Sequence, residues 1–280
     1  MEYLELNVEV QPKQPWTEIA MVQLADNGFE SFVETENGLL AYGQVTEVNC
    51  DLPLSGTILA DKNENFALKW SVKRIPQQNW NALWEADFHP VEVENYLTIL
   101  APFHSKEACK GMCVEILPKM SFGTGHHQTT WMMAKAMFEL PKMAQSVLDM
   151  GTGTGVLAIV AEKLNAEKIL AVDIEDWSVE NTLENAARNT CTKIEAICGD
   201  IDSIPPQQFG LILANINKNV LKMHLPHYAQ LMENGGTLLL SGFFDSDVPE
   251  LVSAAESNGF LKKRILNKDN WAAIELLKQE

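Results

Sequence analysis

From Ser146 onward the chain alternates between two kinds of pattern, and that alternation constrains the fold more than any other feature. Strand-like stretches occupy Ser146–Met150, Lys168–Ile174, Ile194–Cys198, Leu211–Ile216, Thr237–Gly242, Leu261–Asn267 and Ala272–Leu277. Helical periodicity fills 155–164, 176–188, 217–233 and 247–258, with a further helix over 129–140 ahead of the first of these strands. Strands separated by helices lie parallel, because a parallel crossover needs a dozen or more residues and a helix supplies them. The last two strands are joined only by Lys268-Asp269-Asn270, too few for a crossover, so they must be antiparallel neighbours. The expectation is an α/β fold with a doubly wound, seven-stranded sheet that ends in an antiparallel hairpin, unlike the usual dinucleotide dehydrogenase. No internal repeat or low-complexity tract interrupts it.

The chemistry concentrates where the first of these strands ends. Val147-Leu-Asp149-Met-Gly151-Thr-Gly153-Thr-Gly155 runs from strand through a glycine turn into a helix. Glycines there let the backbone turn sharply and let a ligand approach where a β-carbon would collide. Asp173 closes the next strand, where an acid can accept hydrogen bonds from both ribose hydroxyls of a nucleoside. The spacing is Gly-x-Gly-x-Gly, not the Gly-x-Gly-x-x-Gly that cradles a pyrophosphate. Asp149 would repel that anion and suits a ligand that is cationic there, such as S-adenosylmethionine. Asp200, after the third strand, is placed for the exocyclic amine of an adenine or is simply a solvated turn residue. Asn215 ends the fourth strand, where it would sit beside a transferable methyl group or cap the helix that begins near 217.

The first part of the chain has a different grammar. Residues 3–10 alternate as a half-buried strand, and Pro15 opens a helix with Trp16, Ile19, Ala20, Val22 and Leu24 on its apolar side, ending near Gly28. Strands around Phe32–Glu34 and Leu39–Val45 flank Asn37-Gly38, a hairpin signal in which both turn positions favour positive φ. One more strand covers Ala67–Ile75. This predicts a small α+β domain over residues 1–76, a helical linker over 77–87 carrying Trp80 and Trp84, and the α/β domain over 88–280. Val91–Val93 and Tyr96–Leu100 read as strands leading into it.

Composition narrows the partners. Acidic residues outnumber basic ones 38 to 21, a formal charge of −17, so a phosphate-tracking nucleic-acid surface and an anionic membrane are both unsuitable partners. No apolar run reaches the ~20 residues of a spanning helix, and Met1-Glu-Tyr-Leu-Glu-Leu lacks the form of a signal peptide. A soluble, cytoplasmic chain is expected. Its five cysteines (50, 109, 113, 191 and 198) match neither a zinc ribbon nor a disulfide framework and read as reduced thiols; no metal site is expected.

Phe122-Gly-Thr-Gly125-His-His127-Gln-Thr129-Thr130, the glycine turn, Ala214-Asn215-Ile216 and Leu240-Ser241-Gly242 together resemble the ribosomal protein L-eleven methyltransferase (PrmA) family. The resemblance is carried by residues 80–280; over 1–75 it rests on element order. It implies a class I S-adenosylmethionine-dependent methyltransferase domain of Rossmann-like form behind a small substrate-recognition domain. It also implies methylation of the N-terminal amine and lysine side chains of large-subunit ribosomal protein L-eleven. By motif it carries cofactor contacts to Thr130, Gly151, Asp173 and Asn215, and it identifies no catalytic residue. His127 falls at the motif's histidine, either as a proton acceptor or as a residue that orders the loop. Thr154 replaces the family's usual Ser, and Asn217 and Asn219 stand in a helix start that is usually more apolar. A monomer is expected. Alternatives are a class I methyltransferase acting on another protein, a small molecule or a nucleic-acid base, a nicotinamide-dependent oxidoreductase, and an inactive binding module.

Overall fold

The computed structural model describes residues 2–60, 65–75, 88–118 and 127–279. The chain divides into two compact units, Met1–Asp87 and Phe88–Glu280. The expected linker helix, with Trp80 and Trp84, lies outside the described residues.

In the first unit, β1 (Tyr3–Gln11), α1 (Trp16–Asp26), β2 (Phe29–Thr35), β3 (Gly38–Gln44) and β4 (Ala67–Ile75) form an antiparallel sheet of order β2-β3-β1-β4. The alternation in β1 buries Leu4, Leu6, Val8 and Val10, the first three in one core with Ala20 and Leu24 of α1. Val22 is not part of that apolar face: it is 65% exposed. The hairpin between β2 and β3 is present, but Thr35 pairs with Gly38, so Glu36 and Asn37 make the turn. Neither they nor Gly38 take positive φ. The glycine serves close approach instead, since a Cβ at Gly38 would stand 1.9 Å from the Val8 carbonyl oxygen.

The second unit opens with a small sheet of β5 (Val91–Val93), β6 (Leu97–Leu100) and β7 (Met112–Glu115), in which β6 and β7 are parallel. Strand β7 carries no alternating signal and was not expected. Cys109 and Cys113, read as free thiols, are joined as a disulfide just before and within β7, while Cys50, Cys191 and Cys198 are free.

The main sheet follows the expected alternation: α2 (Gln128–Phe138), β8 (Ser146–Met150), α3 (Val156–Lys163), β9 (Lys168–Asp173), α4 (Asp176–Arg188), β10 (Ile194–Cys198), β11 (Phe209–Asn215), α5 (Lys218–Leu231), β12 (Met232–Phe244), α6 (Val248–Glu256), β13 (Phe260–Lys268) and β14 (Trp271–Lys278). The strand order is β10-β9-β8-β11-β12-β14-β13, with only the pairs that involve β14 antiparallel. Asp269 and Asn270 both take positive φ and close the terminal hairpin in two residues. Two apolar layers sandwich the sheet. One is built on Leu221, Leu225 and Tyr228 of α5 with Leu251 and Ala255 of α6. The other joins α2, α3 and the small sheet through Met133, Met137, Ile159, Leu97 and Val114. The order reverses between β8 and β11, and at such a switch point the loops diverge and leave a crevice at the carboxyl ends of the strands. Among the described residues, no helix is long and apolar enough to cross a membrane.

Candidate active site

Strand β8 delivers the glycine turn to that crevice. Gly151, Gly153 and Gly155 all have positive φ (75°, 58° and 79°), and the Gly151 and Thr152 N–H groups donate to the Val172 carbonyl at 2.8 and 3.1 Å. Such φ values strain any residue with a β-carbon. Sterics agree at Gly151, where a Cβ would stand 2.2 Å from Ile216 Cγ2.

Two carboxylates hold this turn. Asp173 Oδ2 accepts the Gly153 N–H at 2.9 Å and its Oδ1 accepts the Glu175 N–H at 3.1 Å. Asp149 is 1% exposed, and one of its oxygens accepts both the Thr152 hydroxyl (2.8 Å) and the Ala158 N–H (3.2 Å) in the first turn of α3. Asp149 therefore braces the turn from within and is not part of the cavity wall, contrary to the expectation that it faces a ligand. Burial pushes its carboxyl up to about 7 against the pull of those two hydrogen bonds, and the neighbouring Asp173 charge adds to the rise.

Asn215 ends β11 as expected, yet the cap of α5 is Asn217, whose side chain accepts the Val220 N–H at 3.2 Å. Asn215 is thus released from capping. Its Nδ2 donates to Thr130 Oγ1 at 3.3 Å, and among the described residues its buried Oδ1 has no partner. Thr130 itself is fully buried and does not line the cavity described below; among the described residues its side chain reaches the site through Asn215. His127 caps α2: its Nδ1 accepts from the Thr129 N–H at 3.3 Å and lies 2.8 Å from Thr129 Oγ1. Its ring stands edge-on to Trp271, and burial lowers its pKa. The rest of the Phe122–Thr130 motif before His127 lies outside the described residues.

A cavity of about 660 Å³ joins these groups. Gly151 and Gly153, Asp173, Asp200, Asn215 and His127 all line it, and its size falls within the ~300–1,000 Å³ of small-molecule sites. Asp200 also caps a short 3-10 turn, accepting the Asp202 N–H at 3.1 Å. The structure adds walls that sequence reasoning missed: Ile174, Trp177 and Met223, all substantially exposed, and Trp271 with Gly242 at the far end. Ile174 follows Asp173 and was within reach of the same motif argument. Trp271 was not, because only the insertion of β14 beside β12, where it pairs with Phe244, brings it to the crevice. Among the described residues no three His, Cys, Asp or Glu side chains cluster to hold a metal ion.

Comparison with known proteins agrees with this geometry. The family model described as ribosomal protein L11 methyltransferase (PrmA) matches residues 20–279. The ribosomal protein L11 methyltransferase of Porphyromonas gingivalis is 40% identical over 262 residues, covering 92% of this chain and 89% of its own. The one of Phocaeicola vulgatus is 35% identical over 288 residues, covering 99% of both. The crystal structure of ribosomal protein L11 methylase from Lactobacillus delbrueckii subsp. bulgaricus matches with a TM-score of 0.63 at 27% identity, over 69% of this chain and 100% of that one. The chain belongs to the ribosomal protein L11 methyltransferase (PrmA) family, within the class I S-adenosylmethionine-dependent methyltransferases.

Proposed function

We propose that this chain moves methyl groups from S-adenosylmethionine to the N-terminal amine and lysine side chains of ribosomal protein L11, using the cavity at the β8/β11 switch point. The observation that carries this reading is Asn215 Oδ1, a buried acceptor without a partner among the described residues, on the same cavity as Gly151 and Asp173. Leaving such an acceptor unpaired costs about 1–3 kcal/mol, which a donor brought by ligand or substrate would recover.

The residues fit the cofactor. Each Asp173 oxygen accepts one backbone N–H and keeps a lone pair for a ribose hydroxyl. Gly151 offers backbone at a place that a β-carbon would block, and Thr130 holds the Asn215 amide so that its oxygen is presented. Bound there, S-adenosylmethionine supplies a methyl electrophile already activated by its sulfonium charge.

The protein's own work is then placement and deprotonation of the amine. A lysine with pKa near 10.4 is about 3.4 units too basic at pH 7, a cost of roughly 4.6 kcal/mol, against about 1 kcal/mol for an α-amine near 7.8. A half-enclosed pocket with apolar walls at Trp271 and Met223 lowers the first cost by disfavouring the charged form. The Asn215 oxygen accepts an N–H of the neutral amine and so directs its lone pair at the methyl group. His127 serves as a helix cap in this scheme: its Nδ1 is taken up by Thr129, which leaves the proton on Nε2.

The first unit acts in substrate recognition. Residues 1–60 hold ten acids (Glu2, Glu5, Glu9, Glu18, Asp26, Glu30, Glu34, Glu36, Glu47, Asp51) and one base, Lys13, a surface that attracts a basic protein. The same charge makes direct nucleic-acid binding unfavourable, and we assign the chain a cytoplasmic, monomeric role. The test is intact-mass analysis of a panel of large-subunit ribosomal proteins after incubation with the chain and S-adenosylmethionine. Mass increments of whole methyl groups are expected on L11, and none on L11 would refute the reading.

A further inference from the structure

Helix α4 touches two separate parts of the second unit with one face. Asn185 is fully buried. Its Nδ2 donates to the Thr154 carbonyl of the glycine turn at 2.9 Å and to Asn181 Oδ1 at 3.3 Å, while its Oδ1 accepts the Leu117 N–H at 2.8 Å. One helical turn later, Asn189 Oδ1 accepts the Glu115 N–H at 2.9 Å and Asn189 Nδ2 donates to the Glu115 carbonyl at 2.6 Å.

The spacing explains how a helix can do this. Residues four apart on a helix are separated by a rise of about 6 Å, and residues two apart on a strand by about 6.6–6.8 Å. Two asparagine amides therefore continue the hydrogen-bond ladder on the edge of β7 that faces away from β6. The other edge is served by β6, through the Ile116 N–H and the Leu100 carbonyl at 2.8 Å. Toward the glycine turn the fit leaves no slack: the Thr182 hydroxyl donates to the Gly153 carbonyl at 3.2 Å, and a Cβ at Gly155 would meet Thr182 at 2.8 Å.

In sequence, the chain continues from Leu117 through the Phe122–Thr130 motif to the buried Thr130 that orients Asn215. We infer that Asn185 is a positioning residue for methyl transfer, tying the glycine turn to the backbone at Glu115–Leu117 so that cofactor occupancy and the order of that strand are coupled. The inference rests on reading the cavity as the S-adenosylmethionine site.

Amide hydrogen exchange over residues 112–118, with and without S-adenosylhomocysteine, tests it in the wild type, Asn185→Ala and Asn185→Asp. Aspartate keeps the acceptor for Leu117 and loses the donor to Thr154. Saturating ligand should slow exchange at Leu117 in the wild type by about 5-fold or more, as coupling energies between sites commonly allow. That slowing should vanish in both variants, with kcat at saturating cofactor reduced by a similar factor in Asn185→Ala, while Asn185→Asp keeps the ligand-free protection of Leu117. If Asn185→Ala does not fold, Asn185→Asp alone decides. Folded variants that retain the wild-type slowing overturn the inference, as does a wild type that binds the ligand by calorimetry without slowing at Leu117. A wild type that does not bind the ligand overturns the reading of the cavity instead.

Discussion

Replacing Asp149 with asparagine should stabilise the second unit, and increasingly so as pH rises. The carboxyl is buried among apolar neighbours of β8 and α3, which lifts its pKa from 3.8 to about 7 in the folded chain. A carboxyl whose folded pKa lies above its unfolded value binds a proton in the folded state that the unfolded state has already released, so stability falls as pH climbs between the two values. At 1.36 kcal/mol per unit, the span from 3.8 to about 7 is worth about 4 kcal/mol in total. About two units of it, or about 3 kcal/mol, fall between pH 5 and pH 7. Above the folded pKa the loss is complete. Asparagine has no such titration, and its oxygen can still accept from Thr152 and Ala158. Urea unfolding of the wild type and Asp149→Asn at pH 5 and pH 8 isolates the effect, because every other titrating group cancels in the difference. The variant's advantage should grow by about 3 kcal/mol across that range. A difference that stays flat with pH would refute the claim that burial governs this carboxyl.

Three further outcomes follow from the site. Gly151→Ala, which must place a β-carbon 2.2 Å from Ile216 Cγ2 at a φ of +75°, should cost about 1–3 kcal/mol of stability and weaken cofactor binding, read by thermal unfolding and calorimetry. Asn215→Ala should lower kcat about tenfold or more while the far-ultraviolet circular dichroism stays unchanged, since it removes the proposed acceptor for the amine and leaves the backbone pairing of β11 in place. Substrate KM should rise steeply with salt between low ionic strength and ~0.15 M, because the acidic first unit works through screened charge; a salt-independent KM would deny it that role.

How much of this was legible depended on how the information is encoded. The strands and helices of the main sheet follow a local pattern, and α4 and β10 coincide with their expected ranges. The terminal hairpin was legible because Lys268-Asp269-Asn270 are too few residues for a parallel crossover. Gly151, Asp173 and Asn215 come onto one cavity because each stands at or just after the carboxyl end of a strand on the same rim of the sheet, a placement that strand ends in the sequence already mark. Strand β7 was hidden because it spans only Met112–Glu115, too short a stretch, with an apolar Cys113 in it, to display a period-2 pattern. The burial of Asp149 was hidden for a related reason: motif position says which residue stands near the turn, and only packing says which side of the turn it faces. Asn37-Gly38 marked the hairpin but set its turn one residue late, because the glycine answers a steric demand from Val8 across the sheet and not a turn angle.

The strand order has a consequence for the timing of assembly. β14 follows β13 in the chain, yet it lies inside the sheet between β12 and β13, and its first residue, Trp271, is a wall of the cavity. A chain emerging from the ribosome can build the glycine turn, Asp173 and Asn215 while still attached, since domains tend to form from the N-terminal side during synthesis. It cannot finish the pocket until 271–278 have emerged and the β13–β14 hairpin has docked with β14 against β12. Until then the partly made chain holds Gly151, Asp173 and Asn215 without Trp271, and the cavity is completed in one late step, when β14 docks.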